Sequence, residues 1–150
     1  MAIIKRLSGM PAPRFGKHCY FSEGAVIVGD VEMGDDCTVW FNAVVRGDVH
    51  FIKIGNRTNI QDNSCLHTLN GKAPVILGDD VTIGHSVTLH GCVVHDGALI
   101  GMGATVLDAG CGECYYLNEV KNELENKNVY PDIYGMDISK EALPFGKKRV

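Results

Sequence analysis

The sequence predicts a mainly β chain in which short parallel strands stack as the coils of a triangular β-helix, followed by a short α/β segment. Three observations lead there: aliphatic residues recur every six positions, small or β-branched residues occupy a second column two positions ahead of them, and both patterns stop near residue 107. A fixed short period of this kind marks a solenoid and overrides any strand-by-strand reading.

The aliphatic column opens with Phe21 and Ile27 and continues in sets of three: Met33, Val39, Val45; Ile54, Ile60, Leu66; Leu77, Ile83, Leu89; Val94, Ile100, Val106. Two positions earlier stand Val31, Cys37, Ala43, Thr58, Ser64, Val81, Val87, Cys92, Ala98 and Ala104. Three hexads make an 18-residue unit, with insertions after Val45 and Leu66 and a contraction after Leu89. One unit cannot bury its apolar column alone, so units must stack, each large aliphatic filling a corner of a narrow prism from inside. Cys37 and Cys92 then read as small core residues. The glycines of "MGDD", "IGNR" and "LGDD" are expected to make turns at positive φ.

Composition narrows the partners. The 150 residues are 45% hydrophobic and 21% charged with a formal net charge of -4, which describes a chain of about one domain. Without a Lys/Arg-rich run there is no footprint for nucleic acid or an anionic membrane surface. No apolar run approaches the ~20 residues that span a bilayer, and "MAIIKRLSGMPAP" lacks a signal-peptide core. A cytoplasmic location is the expectation, with the six cysteines reduced.

Aligning the units on their aliphatic columns places Arg46, His67 and His90 at one position, directly after Val45, Leu66 and Leu89. Residues in one column lie ~4.8 Å apart, close enough for two imidazoles to share an ion. His85 falls in another column, with Phe41 and Asp62. Five extended residues span ~16 Å, so His85 and His90 do not comfortably reach one ion within a chain. Within one chain the trio does not close; it could close across a subunit boundary. The alternative is that these are solvated polar residues on an exposed face.

The stretches "GDVEMGDDCTVWFNAVVRGDVHFIKIGNRTNIQDNSCLHT", "LGDDVTIGHSVTLHGC" and "ALIGMGATVLD" together resemble the gamma-class carbonic anhydrases over about residues 10 to 108. The resemblance implies a left-handed parallel β-helix assembled as a homotrimer, with metal held between subunits by His67 and His90 of one and His85 of the next. Carbon dioxide and bicarbonate are the implied substrates, and zinc the implied metal, with iron(II) or cobalt(II) as alternatives. Three neutral histidines with one position open is a catalytic arrangement, in which zinc lowers the pKa of a bound water towards ~7. The resemblance further implies that Arg46, Asp48 and Asp62 line the site and form inter-subunit ion pairs, and that Gln61 and Asn59 sit near the metal-bound water. His18, His50 and His95 match nothing and are expected at the surface. The family's proton-shuttling glutamates have no counterpart between Asp48 and Ile54, so slow proton transfer is expected.

Past "GMGATVLD" the chain changes character. "VLDAGCGEC" and "GMDIS" resemble the opening of a class I S-adenosylmethionine-dependent methyltransferase acting on ribosomal RNA guanine, with Asp108, Gly110, Gly112 and Asp137 at its motif positions and Cys114 in place of the third glycine. The pattern predicts a strand, a Gly-rich turn, a helix around residues 113 to 127 carrying Leu117, Val120 and Leu124, and a second strand. A unit of ~45 residues is too small to bury such a domain's core alone, so residues 108–150 are expected to be a joined fragment capping the β-helix of residues 1–107. The C-x-x-C of Cys111 and Cys114 has no second pair to complete a zinc site. Besides a carbonic anhydrase, the sequence leaves open a metal-stabilised trimer without catalysis, a hexapeptide acyltransferase, and a methyltransferase fragment.

Overall fold

The structure, a computed structural model, describes residues 1–107. The expected capping helix, the motif residues Asp108, Gly110, Gly112 and Asp137, and the Cys111 and Cys114 pair lie outside the described residues.

Strands alone make up the regular structure here: β1 (Ile3–Lys5), β2 (Arg14–Phe15), β3 (Tyr20–Phe21), β4 (Val26–Met33), β5 (Thr38–Val39), β6 (Val44–Ile54), β7 (Asn59–Ile60), β8 (Cys65–His67), β9 (Val75–Leu77), β10 (Thr82–Ile83), β11 (Thr88–His90), β12 (Val93–Val94), β13 (Leu99–Ile100) and β14 (Thr105–Leu107). Strands β1 to β13 pair in parallel with the strand one coil away, as a β-helix requires. One face is the sheet ordered β13-β10-β7-β5-β3. A second runs β1-β4-β6-β8-β11-β14. The third is completed by β2, β9 and β12, which pair with the later halves of β4 and β6 or with each other. Among the described residues no helix is long and apolar enough to cross a membrane.

The six-residue period is the inside of the prism. Ile27, Val45, Leu66 and Leu89 are register partners up one corner and are fully buried. Val39, Ile60, Ile83 and Ile100 fill a second corner and Met33, Ile54, Leu77 and Val94 a third, all buried. Removing such a side chain from water is worth ~1.5–3 kcal/mol, so the column supplies the axial stacking energy that the two-residue strands cannot.

The small column is inside as well, and its polar members are satisfied. The Cys37 thiol donates to the Gly55 carbonyl at 3.0 Å, the Cys19 thiol to Gly34 at 3.1 Å, and the Thr58 hydroxyl to Gly78 at 2.9 Å. Cys37 is thus a buried core residue that also satisfies the next coil's backbone, and burial pushes its pKa to about 11. Cys92 is buried too.

One turn expectation fails. Gly34, Gly55 and Gly78 are not at positive φ; the left-handed residues stand two positions later, at Asp36 (58°), Arg57 (53°) and Asp80 (58°). The glycines are needed for clearance. A Cβ on any of the three would overlap the side-chain oxygen of Asn56, Asp79 or Asp96 respectively from the next coil. Those oxygens accept backbone N–H groups: Asp35 N–H to Asn56 Oδ1 at 2.9 Å, Asn56 N–H to Asp79 Oδ1 at 2.8 Å, and Asp79 N–H to Asp96 Oδ1 at 2.8 Å. A side-chain ladder therefore runs up this corner, and it leaves no room for a β-carbon on the residue before it.

Candidate metal centre

Successive strands β6, β8 and β11 lie in register, with Arg46 paired to His67 and His67 to His90. Because Val45, Leu66 and Leu89 point inward, the residue after each points out of the prism. The imidazoles of His67 and His90 meet on this outer face with ring centroids 5.1 Å apart and planes tilted by 56°. Both are half-buried.

The insertion after Val45 brings a carboxylate over this pair. Gly29 and Gly47 approach too closely for side chains at the bend of β4 and β6, and past it Asp48 folds back along the column. Its Oδ1 lies 2.9 Å from His67 Nε2, while Arg46 Nη1 donates to its Oδ2 at 3.0 Å. Asp48 thus bridges Arg46 and His67 within one chain. His90 is held below the ordinary histidine pKa by burial first, then by the charges of His67 and Arg46, which keeps it in the neutral form that binds metal.

His85 sits around the corner. It follows Gly84, which pairs through its backbone with the coil above, and its Nδ1 lies 2.7 Å from Asp62 Oδ2. The same column continues to Phe41, whose carbonyl accepts the Asn63 N–H. Phe41 is 46% exposed and stacks on Trp40, which stacks on the half-exposed Tyr20. An aromatic surface therefore adjoins the Asp62 and His85 pair.

The remaining candidates are dispersed. Gln61 immediately precedes Asp62 on the same corner. Asn59 belongs to β7, where its Nδ2 donates to Thr38 Oγ1 at 2.7 Å, alongside Trp40 Nε1 at 3.2 Å. Its Oδ1 is buried without a partner. Thr38 and Trp40, which organise this group, were not singled out by sequence, although Thr38 shares Asn59's column. His18 and His95 are exposed; His50 is half-buried and its Nδ1 accepts the Phe51 N–H at 2.9 Å. Among the described residues, no three His, Cys, Asp or Glu side chains gather as a metal-holding group.

The donor chemistry suits zinc. With zinc–nitrogen bonds of about 2.0–2.1 Å, two imidazoles sharing one ion have centroids roughly 5 Å apart, which is the spacing of His67 and His90. The carboxylates at His67 and His85 match the outer partners that metal-binding histidines usually have.

Residues 74–108 match the family model described as bacterial transferase hexapeptide (six repeats). A solved structure of a hexapeptide transferase family protein from Anaplasma phagocytophilum superposes with a TM-score of 0.57 at 30% identity, covering 72% of this chain and 76% of that one. The chain belongs to the hexapeptide-repeat family. Within it, the chain is similar to gamma carbonic anhydrase 1, mitochondrial, of Arabidopsis thaliana, at 49% identity over 102 residues, or 65% of this chain. It is also similar to a carbonic anhydrase of Geobacillus kaustophilus, at 47% identity over 96 residues, or 64% of this chain. The chain spans 37% and 52% of the lengths of these two relatives.

Proposed function

We propose that this hexapeptide-repeat protein is a carbonic anhydrase-like enzyme that works as a homotrimer, with zinc shared between subunits and carbon dioxide and bicarbonate as its substrates. The observation that carries the reading is the in-register His67 and His90 pair, with His85 displaced to the adjoining corner. Two donors on one surface and a third on another are what a site assembled from two copies needs. The similarity to gamma-class carbonic anhydrases supports the same reading.

In this arrangement His67 and His90 of one subunit and His85 of the next hold the ion. A zinc ion held there would supply a nucleophile at neutral pH. Arg46, ion-paired to Asp48, stands beside the histidines on this face. Asp48 and Asp62 orient the rings, and Gln61 offers a polar side chain beside Asp62. The surface formed by the exposed Tyr20 and Phe41 with the half-buried Trp40 between them is the natural place for a neighbouring subunit to cover, since aromatic residues are enriched in interfaces. Asn59, whose Nδ2 is held by Thr38 while its Oδ1 has no protein partner among the described residues, accompanies Gln61 near the metal-bound water in this reading. The cytoplasmic location expected from sequence accompanies this reading.

Metal content per chain on trimer-sized material, followed by a carbon dioxide hydration assay, tests the proposal. One zinc per chain with hydration that falls on chelation is expected. Stoichiometric zinc without hydration would leave a metal-stabilised trimer instead. A second reading, acyl transfer, is favoured by the transferase family match; turnover of an acyl-coenzyme A by the metal-free protein would establish it.

A further inference from the structure

Cys19 stands two positions before Phe21, as Cys37 stands two positions before Val39 in the following coil. The strands that they lead into are in register, with Tyr20 opposite Thr38 and Phe21 opposite Val39. Backbone hydrogen bonds bracket the two cysteines: the Tyr20 N–H donates to the Cys37 carbonyl at 2.9 Å and the Asp36 N–H to the Lys17 carbonyl at 2.8 Å. Cys19 and Cys37 are therefore stacked neighbours, and the ~4.8 Å spacing of adjacent strands lies inside the Cα separation of about 4.4–6.8 Å that disulfides span. Both thiols turn the same way along the prism, Cys19 donating to the Gly34 carbonyl at 3.1 Å and Cys37 to the Gly55 carbonyl at 3.0 Å. Gly34 belongs to the coil that carries Cys37, so the Cys19 sulfur already points towards its neighbour. We propose that Cys19 and Cys37 join in a disulfide when the protein meets a low-molecular-weight disulfide oxidant, and that this bond staples the first coil to the second. The staple is independent of the metal reading.

The two sulfurs play different parts. Cys19 is half-buried and leads into β3, the end strand of the sheet β13-β10-β7-β5-β3. An oxidant reaches it first, and with one strand neighbour in that sheet it can move the ~1 Å between stacked Cβ atoms and the ~3.8 Å Cβ separation of a disulfide. Cys37 is fully buried; burial pushes its thiol up to about 11, and the adjacent Cys19 sulfur adds to that rise. It is a poor first nucleophile, because the thiolate is what attacks. The Cys19 thiolate attacks one sulfur of the oxidant, forming a mixed disulfide and releasing one small thiolate. Cys37 then loses its proton and its sulfur displaces the second small thiolate from Cys19. The protons given up by the two cysteines end on the two released thiolates, so two thiols are oxidised and one oxidant disulfide is reduced. Thr58 follows Cys37 in the column and holds the Gly78 carbonyl through a hydroxyl, which confines the staple to the first two coils.

Treating the full-length native protein with glutathione disulfide, blocking the remaining thiols and mapping peptides without reduction tests the proposal. Cleavage after acidic residues separates Cys19 from Cys37 at Glu23, so a bond between them appears as two joined peptides. That joined pair is expected, with a melting temperature raised by roughly 5–10 °C over the reduced protein and restored by dithiothreitol. Cys19→Ser keeps a hydroxyl donor for the Gly34 carbonyl, so it folds without being able to form the bond. Its melting temperature should be the same with and without oxidant, although Cys111 and Cys114 are still present. A mixed disulfide resting at Cys19 with Cys37 still a free thiol would overturn the proposal. So would joined peptides that leave the melting temperature unchanged, or an equal rise in Cys19→Ser.

Discussion

His67 and His90 stand on adjacent coils as direct register partners, their rings 5.1 Å apart on the outer face while Leu66 and Leu89 beside them close the core. The same stacking that buries the leucines sets the imidazole spacing. Core and candidate site are consequently coupled, and damage to one column should reach the other.

Leu66→Ala tests that coupling. Leu66 is fully buried between Val45 and Leu89, so truncation should cost about 2–5 kcal/mol of stability in urea unfolding. Zinc affinity should weaken as well, because the strand below His67 loses its support. An equal stability loss from Ile83→Ala, in another corner, should leave the His67 and His90 spacing less affected.

Glycine clearance gives a second test. An added Cβ at Gly55 would meet the Asp79 side chain and the Gly78 backbone, whereas one at Gly97 meets nothing within 4 Å. Gly55→Ala should therefore destabilise strongly, and removing the Asp79 side chain should not rescue it. Gly97 has φ of 70°, a conformation that asparagine tolerates, so Gly97→Asn should be close to neutral in thermal melting.

The Asp ladder predicts a pH dependence. The Asn56 N–H and side chain hold the Asp79 carboxyl below the usual carboxylate range, and Arg57 does the same for Asp80 while its own pKa rises. A carboxyl depressed in the folded state contributes stability that is present above the unfolded value of about 3.9 and is lost as pH falls through the folded value. Asp79→Asn mimics the protonated form. Its stability deficit should be constant at neutral pH and close as pH drops below about 4, read from urea unfolding across that range. A deficit unchanged down to acid pH would contradict the assignment.

Thiol accessibility checks the core column. Cys37 is fully buried with a pKa of about 11, whereas Cys19 and Cys65 are only half-buried. Since the thiolate is the reactive species, alkylation of the folded protein at neutral pH should label Cys19 and Cys65 well before Cys37, by peptide mass mapping. Equal labelling would mean that the coil opens.

The corners were legible because an inward position tolerates only a large aliphatic, and that constraint repeats every six residues. Register then followed by counting, which is how Arg46, His67 and His90 fall in one column and His85 with Asp62 in another. Counting fails where a side chain leaves its column. The Asp48 contact with His67 depends on how the insertion folds back, and the glycine clearance depends on where Asn56, Asp79 and Asp96 point from the next coil. The Asn59 contact with Thr38 could have been read from their shared column. The motifs of residues 108–150 have no part in this comparison, since they lie outside the described residues.

The central claim is that one metal site draws on two chains, and subunit mixing tests it most directly. His67→Ala and His85→Ala homotrimers should each lack every complete three-histidine site. When the two are co-refolded, a chain keeping His67 and His90 can meet one keeping His85, which restores zinc binding at up to one site per mixed trimer. Recovery of zinc in trimers shown by mass spectrometry to be mixed is the predicted result; mixed trimers that bind no more zinc than either variant alone would contradict it.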